Sequence, residues 1–256
     1  MSRNGRAGEA RTITRAMVLA AGRGERMRPL TDERPKPLIP VRGVAMIDQL
    51  LDRLAEAGVE EAVVNLHYLG DQLRAHLQGR PRPHILFSEE ESLLDTGGGT
   101  LRALPLLGES AFFVANGDVV WLDGPKPALQ RLAAAWDPER MDALLLLQPG
   151  SGAFGYDGLG DFRMAPDGRL TRRPERKPAP FVYAGLHVLH PRLFEGAPQG
   201  AFSLNRLWDK AAEAGRLFGL RHEGAWYHVG TPRALKAVER ELAFELGGWR
   251  DEGNGS

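Results

Sequence analysis

Short apolar segments alternate with amphipathic ones through the first 150 of the 256 residues, and this alternation restricts the fold more than any other feature. Strands are expected at residues 13–20, 59–65, 85–88, 111–116 and 143–148, and helices at 44–57, 68–77, 99–107 and 127–136. The strands are nearly continuous apolar runs, which is typical of strands buried on both faces of a parallel sheet. The sequence therefore predicts an α/β protein with a mostly parallel, Rossmann-like central sheet and helices on both faces.

The pattern changes after residue 149. A turn-rich stretch leads into a hairpin around Gly168, a long strand at 181–190, and helices at 204–214 and 234–246. We interpret this part as a small mixed-sheet lid over the first half. The predicted organisation is a disordered extension (1–12), one domain (13–246) with halves at 13–148 and 149–246, and a flexible tail (247–256).

Charge and composition exclude several kinds of partner. The chain has 33 Lys and Arg against 33 Asp and Glu, so no overall positive field is available to hold nucleic acid or an anionic membrane. The longest aliphatic run, residues 143–147, is too short to span a bilayer. The absence of cysteine removes disulfides, thiol catalysis and thiolate zinc sites, and it fits a reducing cytoplasm.

The densest motif follows the first strand, where residues 19–31 read LAAGRGERMRPLT. Glycine permits a sharply bent backbone with accessible amides, and arginine suits phosphate or carboxylate. Met27 occupies the third glycine position of a Rossmann GxGxxG turn, and no GxxxxGK[ST] P-loop occurs, so both familiar phosphate loops are disfavoured. We expect the segment to wrap an anion by another geometry; an exposed turn with solvated charges is the alternative.

Polar residues follow the predicted strands directly. Asn65 and His67 come at the end of the second strand, and Asn116 and Asp118 follow AFFVA in the order NGD. Because ligands of open parallel sheets gather at the carboxyl ends of the strands, we expect these tips to converge on one crevice. A carboxylate fixed there suits Mg²⁺, which makes Asp118 a metal candidate, although NGD is also a good tight turn. Asn116 either positions Asp118, contacts a ribose or acts only as a cap.

Four motifs in order resemble the sugar nucleotidyltransferase family: LAAGRGERMRPLT, ERPKPLIPV at residues 33–41, NGD at 116–118 and WYHVGTP at 226–232. The resemblance extends from residue 17 to about residue 246 and implies the glycosyltransferase A-type nucleotidyltransferase fold. It also implies transfer of a nucleotidyl group from a nucleoside triphosphate to a sugar 1-phosphate, with release of pyrophosphate. The first half of the domain would then bind the nucleotide, and the second would bind the sugar and supply a closing helix.

The resemblance assigns roles to the amino-terminal motifs. The nucleotide would lie against the backbone of Ala21, Gly22, Arg23 and Gly24. Arg26 would contact the β- and γ-phosphates, Lys36 the oxygens of the reacting phosphate, and Asp118 the metal ion, so these three are the candidate catalytic residues. Lys36 lies between two prolines that restrict the backbone, and a surface lysine on a rigid turn is the alternative reading.

The segment LLDTGGGT at residues 93–100 is the candidate for the nucleobase site. Its glycines let the backbone approach a planar ring and can open a helix whose amino end favours anions. Thr96, Gly97 and Gly98 are the nucleotide candidates here, and a flexible strand-to-helix turn is the alternative. With YAG at 183–185, this segment most resembles the N-acetylmuramate 1-phosphate uridylyltransferases, which implies UTP, that sugar phosphate and recycling of cell-wall sugars.

The sugar side matches the family only loosely. The candidate sugar contacts are Asn65, Glu175, Lys177, Tyr183 and Gly185. The charged ERKP stretch at residues 175–178 is more typical of a solvated loop than of a binding site.

Position 228 departs from the family pattern. Related enzymes commonly carry an aspartate where WYHVGTP has His228, and that aspartate completes the metal site. Mg²⁺ prefers oxygen ligands, so a simple two-carboxylate site is in doubt, and Mn²⁺ is a second candidate ion. His228 is either a metal ligand, a phosphate contact or a histidine packed beneath the crevice.

Three hypotheses follow for the function. The leading one is a cytoplasmic magnesium-dependent enzyme, monomeric or homodimeric, that joins UTP to a sugar 1-phosphate, in particular N-acetylmuramate 1-phosphate. The second has the same chemistry with glucose 1-phosphate, mannose 1-phosphate or phosphocholine as acceptor. The third is a non-catalytic sugar-nucleotide sensor, because His228 stands where a metal ligand is expected.

Overall fold

The computed structural model describes residues 12–245. The strands are β1 (Arg15–Leu19), β2 (Pro40–Val41), β3 (Val44–Ala45), β4 (Glu61–Leu66), β5 (His84–Glu89), β6 (Phe112–Asn116), β7 (Val120–Leu122), β8 (Ala143–Pro149), β9 (Ala153–Phe154), β10 (Phe162–Met164), β11 (Leu170–Arg172), β12 (Phe181–Leu189), β13 (Leu217–Arg221) and β14 (Ala225–Tyr227). The helices are α1 (Met46–Glu56), α2 (Gly70–Leu77), α3 (Asp95–Leu107), α4 (Ala128–Ala135), α5 (Asn205–Glu213) and α6 (Pro232–Glu245). None of these helices is both long enough and apolar enough to cross a membrane. The expected tail, most of the expected amino-terminal extension and the last residue of the closing helix lie outside the described residues.

A nine-stranded sheet organises the molecule. Its order is β11-β10-β12-β6-β1-β4-β5, and β8 pairs with both β12 and β13 beside this path. β6, β1, β4 and β5 are mutually parallel, as the alternating pattern predicts, whereas β12 is antiparallel to both β6 and β8. The predicted α/β class is therefore confirmed. The sheet is mixed and not mostly parallel as expected, because β12 runs antiparallel to β6, β8 and β10, and β10 runs antiparallel to β11.

Helices cover both faces of this sheet, as the sequence predicts. Met17 and Val18 are consecutive on β1 and both are fully buried, so they point to opposite faces. Val18 packs in a core that contains Leu50 of α1, whereas Met17 packs in a second core that contains Leu107 of α3 and Leu207 of α5. The central strands are thus buried on both sides, which is why their sequences are continuous apolar runs.

The second half contributes a hairpin and two of the three strands of a separate small sheet, whose third strand, β7, comes from the first half. The hairpin expected around Gly168 is formed by β10 and β11, which extend the main sheet. The small mixed sheet has the order β7-β14-β9, and its strands of two or three residues are too short to show a periodic pattern. Tyr227 of β14 lies in a third core with Met27, Ile39 and Leu235, so α6 closes onto the amino-terminal loop.

Candidate active site

A cavity of about 700 Å³, here called the large cavity, opens at the carboxyl ends of β1, β4 and β6. Leu19 on β1 is in register with Asn116 on β6, and its neighbour Val18 is in register with Val64 on β4, so the three strand ends lie side by side. The predicted site residues that line it are Ala21, Gly22, Arg23, Gly24, Arg26, Lys36, Asn65, Thr96, Asn116 and Asp118. All four motifs therefore contribute to one crevice, the last of them through Gly230. Asn65, Asn116 and Asp118 meet there as the strand-end rule predicts.

The amino-terminal loop reaches the cavity through a bend at Gly24, whose φ is 63°. A Cβ at this position would lie 3.0 Å from two side-chain carbons, so glycine is required by both conformation and space. Met27 donates its backbone N–H to the Gly24 carbonyl at 2.8 Å, and its side chain is fully buried. Gly22 has open space around it, and Arg23 and Arg26 are exposed. The loop presents backbone and solvated cations to the cavity, held by a buried methionine.

Lys36 and Asp118 form an ion pair at the centre of the site. The distance from Lys36 Nζ to Asp118 Oδ2 is 2.5 Å, and the two side chains are 14% and 31% exposed. Pro35 and Pro37 on either side of the lysine are buried, and Lys36 begins a 3₁₀ turn that ends at Leu38. The rigid proline turn thus aims a flexible ammonium group at a carboxylate 82 residues further along the chain.

Asn65 is held rigidly in the wall of the large cavity. Its Oδ1 accepts the backbone N–H of Ala20 at 2.6 Å, and its Nδ2 donates to Glu90 Oε1 at 2.7 Å. Glu90 is 5% exposed, and its other oxygen accepts the backbone N–H of Leu94 at 2.9 Å. A Cβ on Gly99 would lie 2.5 Å from Glu90 Oε1, so that glycine makes room for the pair. This network links β1, β4 and the start of α3 beneath the cavity.

The glycines of DTGGGT serve packing in this structure. Gly97 and Gly98 lie in the first turn of α3 and are buried, and neither lines the large cavity. A Cβ on Gly97 would lie 2.4 Å from the ring of Phe202, and one on Gly98 would lie 2.3 Å from the carbonyl oxygen of Gly200. Thr96 does line the cavity, and its hydroxyl accepts the backbone N–H of Leu204 at 3.0 Å. The two glycines therefore let the 200–204 segment approach the helix closely.

A second cavity of about 280 Å³, here called the small cavity, adjoins the large one. Leu19, Thr96 and Asn116 line both. The remaining lining residues come from the second half of the chain: Asp161, Phe162, Arg172, Tyr183, Ser203, Leu204, Asn205 and Trp208. Both volumes fall near or within the range of about 300–1,000 Å³ for ligand pockets, and the smaller one fits part of a ligand that continues into the larger.

The structure places some of the predicted sugar contacts at the two cavities and others away from both. Tyr183 lines the small cavity, and Gly185 has a φ of 83° and lies under Asn116, whose Nδ2 would be 3.3 Å from a Cβ there. Glu175 and Lys177 are exposed and line neither cavity. Asn65 lies in the wall of the large cavity.

Buried rings form the back of the small cavity. The hydroxyl of Tyr183 lies 2.6 Å from Nδ1 of His187, and the ring of Trp208 lies 4.8 Å and 5.3 Å from those of Tyr183 and His187. Burial lowers the pKa of His187 to about 3, and burial, followed by the nearby charge of Asp118, raises the pKa of Tyr183 well above its usual value. Tyr183 and His187 are therefore both neutral near pH 7, and these rings add no charge to the small cavity.

His228 lies within range of the charges of Lys36 and Asp118 but lines neither cavity. Its ring is 6.0 Å from that of Tyr156 and 5.9 Å from that of Trp226, and its backbone N–H donates to Phe154 at 2.9 Å. Burial lowers the pKa of His228, and the positive charges of Arg26 and Lys36 lower it further. The histidine is neutral at pH 7 and packs among aromatic rings.

The comparison with protein families agrees with this geometry. The nucleotidyl transferase profile matches residues 15–245, almost all of the described chain. The chain belongs to the nucleotidyl transferase family. The resemblance read from the four motifs is thereby confirmed, and Lys36 and Asp118 both fall within the matched region.

Three curated relatives each match most of this nucleotidyl transferase. The N-acetylmuramate alpha-1-phosphate uridylyltransferase of Caulobacter vibrioides is 47% identical over 233 residues, which is 89% of this chain and 96% of the relative. The enzyme of the same name from Neisseria meningitidis serogroup B is 37% identical over 230 residues, covering 88% and 96%. The mannose-1-phosphate guanyltransferase beta-B of Xenopus laevis is 28% identical over 231 residues, covering 86% and 62%.

Solved structures with the same fold include nucleotide complexes. A UDP-glucose pyrophosphorylase complexed with UDP-glucose has a TM-score of 0.74 at 16% identity, covering 91% of this chain and 99% of that one. HddC from Yersinia pseudotuberculosis complexed with GMP-PN has a TM-score of 0.70 at 18% identity, covering 90% and 100%. The fold expected of this transferase is confirmed by these neighbours.

The donor set of this transferase fits a metal ion only through Asp118. Within residues 12–245, no three His, Cys, Asp or Glu side chains are grouped so that they could hold a metal. Asp118 is a partly exposed carboxylate in the cavity wall, and Mg²⁺ is often bound by one or two carboxylates together with substrate phosphates and waters. One protein carboxylate therefore fits a magnesium ion that takes its other ligands from the substrate.

Sequence reasoning missed several residues of the two cavities. Glu90 comes directly after β5, so the strand-end rule that found Asn65 also points to it. Asp161, Arg172 and Trp208 line the small cavity from short strands and a helix of the second half. No motif marks these three, because the hairpin and α5 are brought together only by the folded sheet.

Proposed function

We propose that this protein transfers the uridylyl group of UTP to N-acetylmuramate 1-phosphate, forming UDP-N-acetylmuramate and releasing pyrophosphate. The observation that carries the proposal is the Lys36 and Asp118 pair in the wall of the large cavity, close to where that cavity adjoins the small one. The choice of substrates is supported by the Caulobacter and Neisseria relatives, which carry this activity in their names. The enzyme would act in the cytoplasm, as a monomer or homodimer, in the recycling of cell-wall sugars.

The two cavities correspond to the two substrates of such a reaction. UTP would occupy the large cavity, with its phosphates along Gly22 to Gly24 and its base towards Thr96, and the sugar would occupy the small cavity beside Tyr183 and Gly185. The sugar phosphate would then meet the α-phosphorus near Asn116, which lines both cavities. Holding both reactants in line converts an encounter in solution into a reaction within one complex.

Charge repulsion between the two phosphates is the main barrier to that encounter. Two unit charges about 4 Å apart repel by about 4 kcal/mol at an effective dielectric constant of about 20. The ammonium group of Lys36 is already fixed in the cavity, and the guanidinium groups of Arg23 and Arg26 are exposed at its edge. These cations offset the repulsion, and Lys36 would stabilise the charge that moves onto the phosphate oxygens during transfer.

Asp118 would hold a magnesium ion together with phosphate oxygens of UTP. Such an ion supplies charge neutralisation and polarises the phosphoryl group when it is bound. Asp118 has a second role in this chain, since its carboxylate positions Lys36 at 2.5 Å before substrate arrives. Mn²⁺ is the alternative ion, because it accepts an imidazole ligand more readily than Mg²⁺ does; His228 would have to turn into the large cavity, which it does not line in this structure, to bind it.

The test is pyrophosphate release in single-turnover reactions with UTP, CTP, GTP or TTP and a panel of sugar 1-phosphates. We expect UTP with N-acetylmuramate 1-phosphate to give the highest rate. Asp118→Asn should lower the rate by about 100-fold or more and weaken UTP binding less. The reason is that a metal ion held by Asp118 stabilises the transition state, in which charge moves between the phosphate oxygens, more than it stabilises bound UTP. Asp167→Asn, at the exposed turn of the hairpin, is the matched control. UTP binding without turnover of any acceptor would favour the sensor hypothesis, and full activity of Asp118→Asn would reject the metal assignment.

A further inference from the structure

We propose that Arg172 binds a carboxylate on the sugar substrate and so selects acid-bearing sugar 1-phosphates over neutral ones. The proposal rests on the proposed function, because it takes the small cavity to be the place where the sugar lies. It adds a specificity determinant that none of the motifs in the sequence marks.

Arg172 is the charged residue best placed to bind a carboxylate of the sugar. It ends β11, pairs in register with Phe162 of β10, and lines the small cavity. Of the described residues that line this cavity, Arg172 is the one cation and Asp161 is the one anion. The rest of the lining is apolar, aromatic or uncharged polar, so a carboxylate in this cavity has one protein partner of opposite charge.

The guanidinium group of Arg172 is held by two hydrogen bonds to the protein and keeps other N–H donors for a ligand. Nε donates to Asp209 Oδ1 at 2.6 Å, and Nη2 donates to the backbone oxygen of Asn205 at 3.0 Å. Three of its five N–H groups are left without a protein partner among residues 12–245. The side chain is 35% exposed, so a ligand can reach it. A planar fork fixed in this way can bind a carboxylate through two parallel hydrogen bonds.

The two nearby aspartates do not cancel this preference. Asp209 is half exposed, so its attraction for Arg172 is weakened by solvent. Asp161 accepts the backbone N–H of Tyr183 at 2.9 Å, which satisfies one of its oxygens within the protein. Its other oxygen suits a sugar hydroxyl or amide N–H, because an ionised carboxylate only accepts hydrogen bonds. The cavity therefore orients an acidic sugar, with its acid towards Arg172 and a donor towards Asp161.

Two sugar phosphates separate this proposal from general sugar binding. N-acetylmuramate 1-phosphate and N-acetylglucosamine 1-phosphate share the ring and the acetamido group, and only the former carries the lactyl carboxylate. The measured quantity is the ratio of their kcat/KM values at saturating UTP, for the wild type, Arg172→Gln and Arg172→Lys. Arg163→Gln on the adjacent strand β10 is the matched control, since Arg163 is exposed and lines neither cavity.

We expect Arg172→Gln to lower kcat/KM for the acidic sugar by about 10- to 100-fold, as for lost hydrogen bonds to a charged group. The value for the neutral sugar should change by less than about threefold. Arg172→Lys should fall between the two, because it keeps the charge and loses the fork. Arg163→Gln should leave the ratio unchanged. Equal losses for both sugars, or no loss for the acidic one, would overturn the proposal.

A change in the substrate tests the same contact without altering the protein. Conversion of the lactyl acid to its carboxamide should lower the kcat/KM of the wild type by about the same factor as Arg172→Gln. The carboxamide with the variant should show little further loss, because both changes remove one interaction. Additive losses would reject the assignment even if Arg172→Gln were poorly folded. A wild type that turns over N-acetylmuramate 1-phosphate, with no selective loss of that activity in Arg172→Gln, would reject the inference alone. No turnover of that sugar phosphate would reject both the inference and the proposed function.

Discussion

The large cavity is walled by backbone and partly solvated charge, whereas the small cavity is backed by buried rings. Lys36 and Asp118 keep 14% and 31% of their side chains exposed, and the arginines of the amino-terminal loop are exposed. His187 and Trp208 behind the small cavity are 1% and 6% exposed. The two halves of the site therefore differ in what they offer a ligand: the first offers charge, and the second offers a fixed shape with Arg172 at its edge.

This difference follows from the chemistry that each side would serve. UTP would enter the large cavity as a polyanion, and pyrophosphate would leave it. The charged side chains there must therefore be able to exchange their contacts with each other for contacts with phosphate. A sugar ring is neutral apart from its substituents, and it is recognised by a few placed polar groups against a rigid surface. The following changes test the contrast, beginning with the largest expected effect.

Replacing Lys36 with methionine should remove the fixed charge of the large cavity. We expect kcat to fall by about 100- to 1,000-fold, with a smaller loss of UTP affinity, because the charge to be stabilised grows in the transition state. Lys126→Met is a close control, since Lys126 also lies between two prolines, is exposed and lines neither cavity. Single-turnover rates and UTP titrations measure both effects. Retention of more than a third of the wild-type rate would show that Lys36 has no part in the chemistry.

Acid should destabilise the ring cluster behind the small cavity. The pKa of His187 is about 3 in the folded protein and about 6.5 when unfolded, so protonation favours unfolding. The stabilising contribution is complete above pH 6.5 and falls by about 1.4 kcal/mol per pH unit as the pH drops towards 3. Denaturant unfolding at pH 7, 5 and 4 should give a shallower pH dependence for His187→Phe than for the wild type.

The control for that series is His84→Phe, because His84 is exposed at the start of β5. Its pH dependence should match that of the wild type. Burial also lowers the pKa values of His190, His222 and His228, so the wild type retains other acid-sensitive groups and only the difference between variants is diagnostic. Identical curves for the wild type and His187→Phe would mean that the pKa of His187 is not lowered in the folded state.

Alanine substitutions at Gly24 and Gly22 should distinguish a glycine that the backbone conformation of the loop needs from one that leaves space for the ligand. Gly24→Ala places a Cβ at a φ of 63° and 3.0 Å from Lys36 Cβ, so we expect a loss of about 1–2 kcal/mol in stability. Gly22→Ala meets open space, so its stability should stay within about 0.5 kcal/mol of the wild type. Because Gly22 lines the large cavity, where the phosphates are proposed to lie, Gly22→Ala should nevertheless weaken UTP binding. Thermal unfolding and UTP titration measure the two quantities, and equal stability losses would contradict the distinction.

The lining of the large cavity could be predicted largely from the sequence. Its determinants are local or follow a general rule: a glycine bend, a lysine between two prolines, and polar residues at the ends of buried parallel strands. The family resemblance implied that Lys36 and Asp118 both act at the phosphates, and the structure brings them together in a 2.5 Å ion pair. The role of the DTGGGT glycines shows the limit of that reading, because Gly97 and Gly98 meet Phe202 and Gly200, more than 100 residues away in the chain.

The sequence by itself determined the α/β class, the strands at the centre of the sheet and the amino-terminal half of the site, because periodicity and turn chemistry act over a few residues. Only the tertiary structure decided the rest. It placed β12 between β6 and β8, assembled the small sheet, and brought Arg172 and Trp208 to one cavity while leaving Glu175 and Lys177 outside both. These arrangements depend on which distant segments bury one another, and that selection is made by packing across the whole sheet.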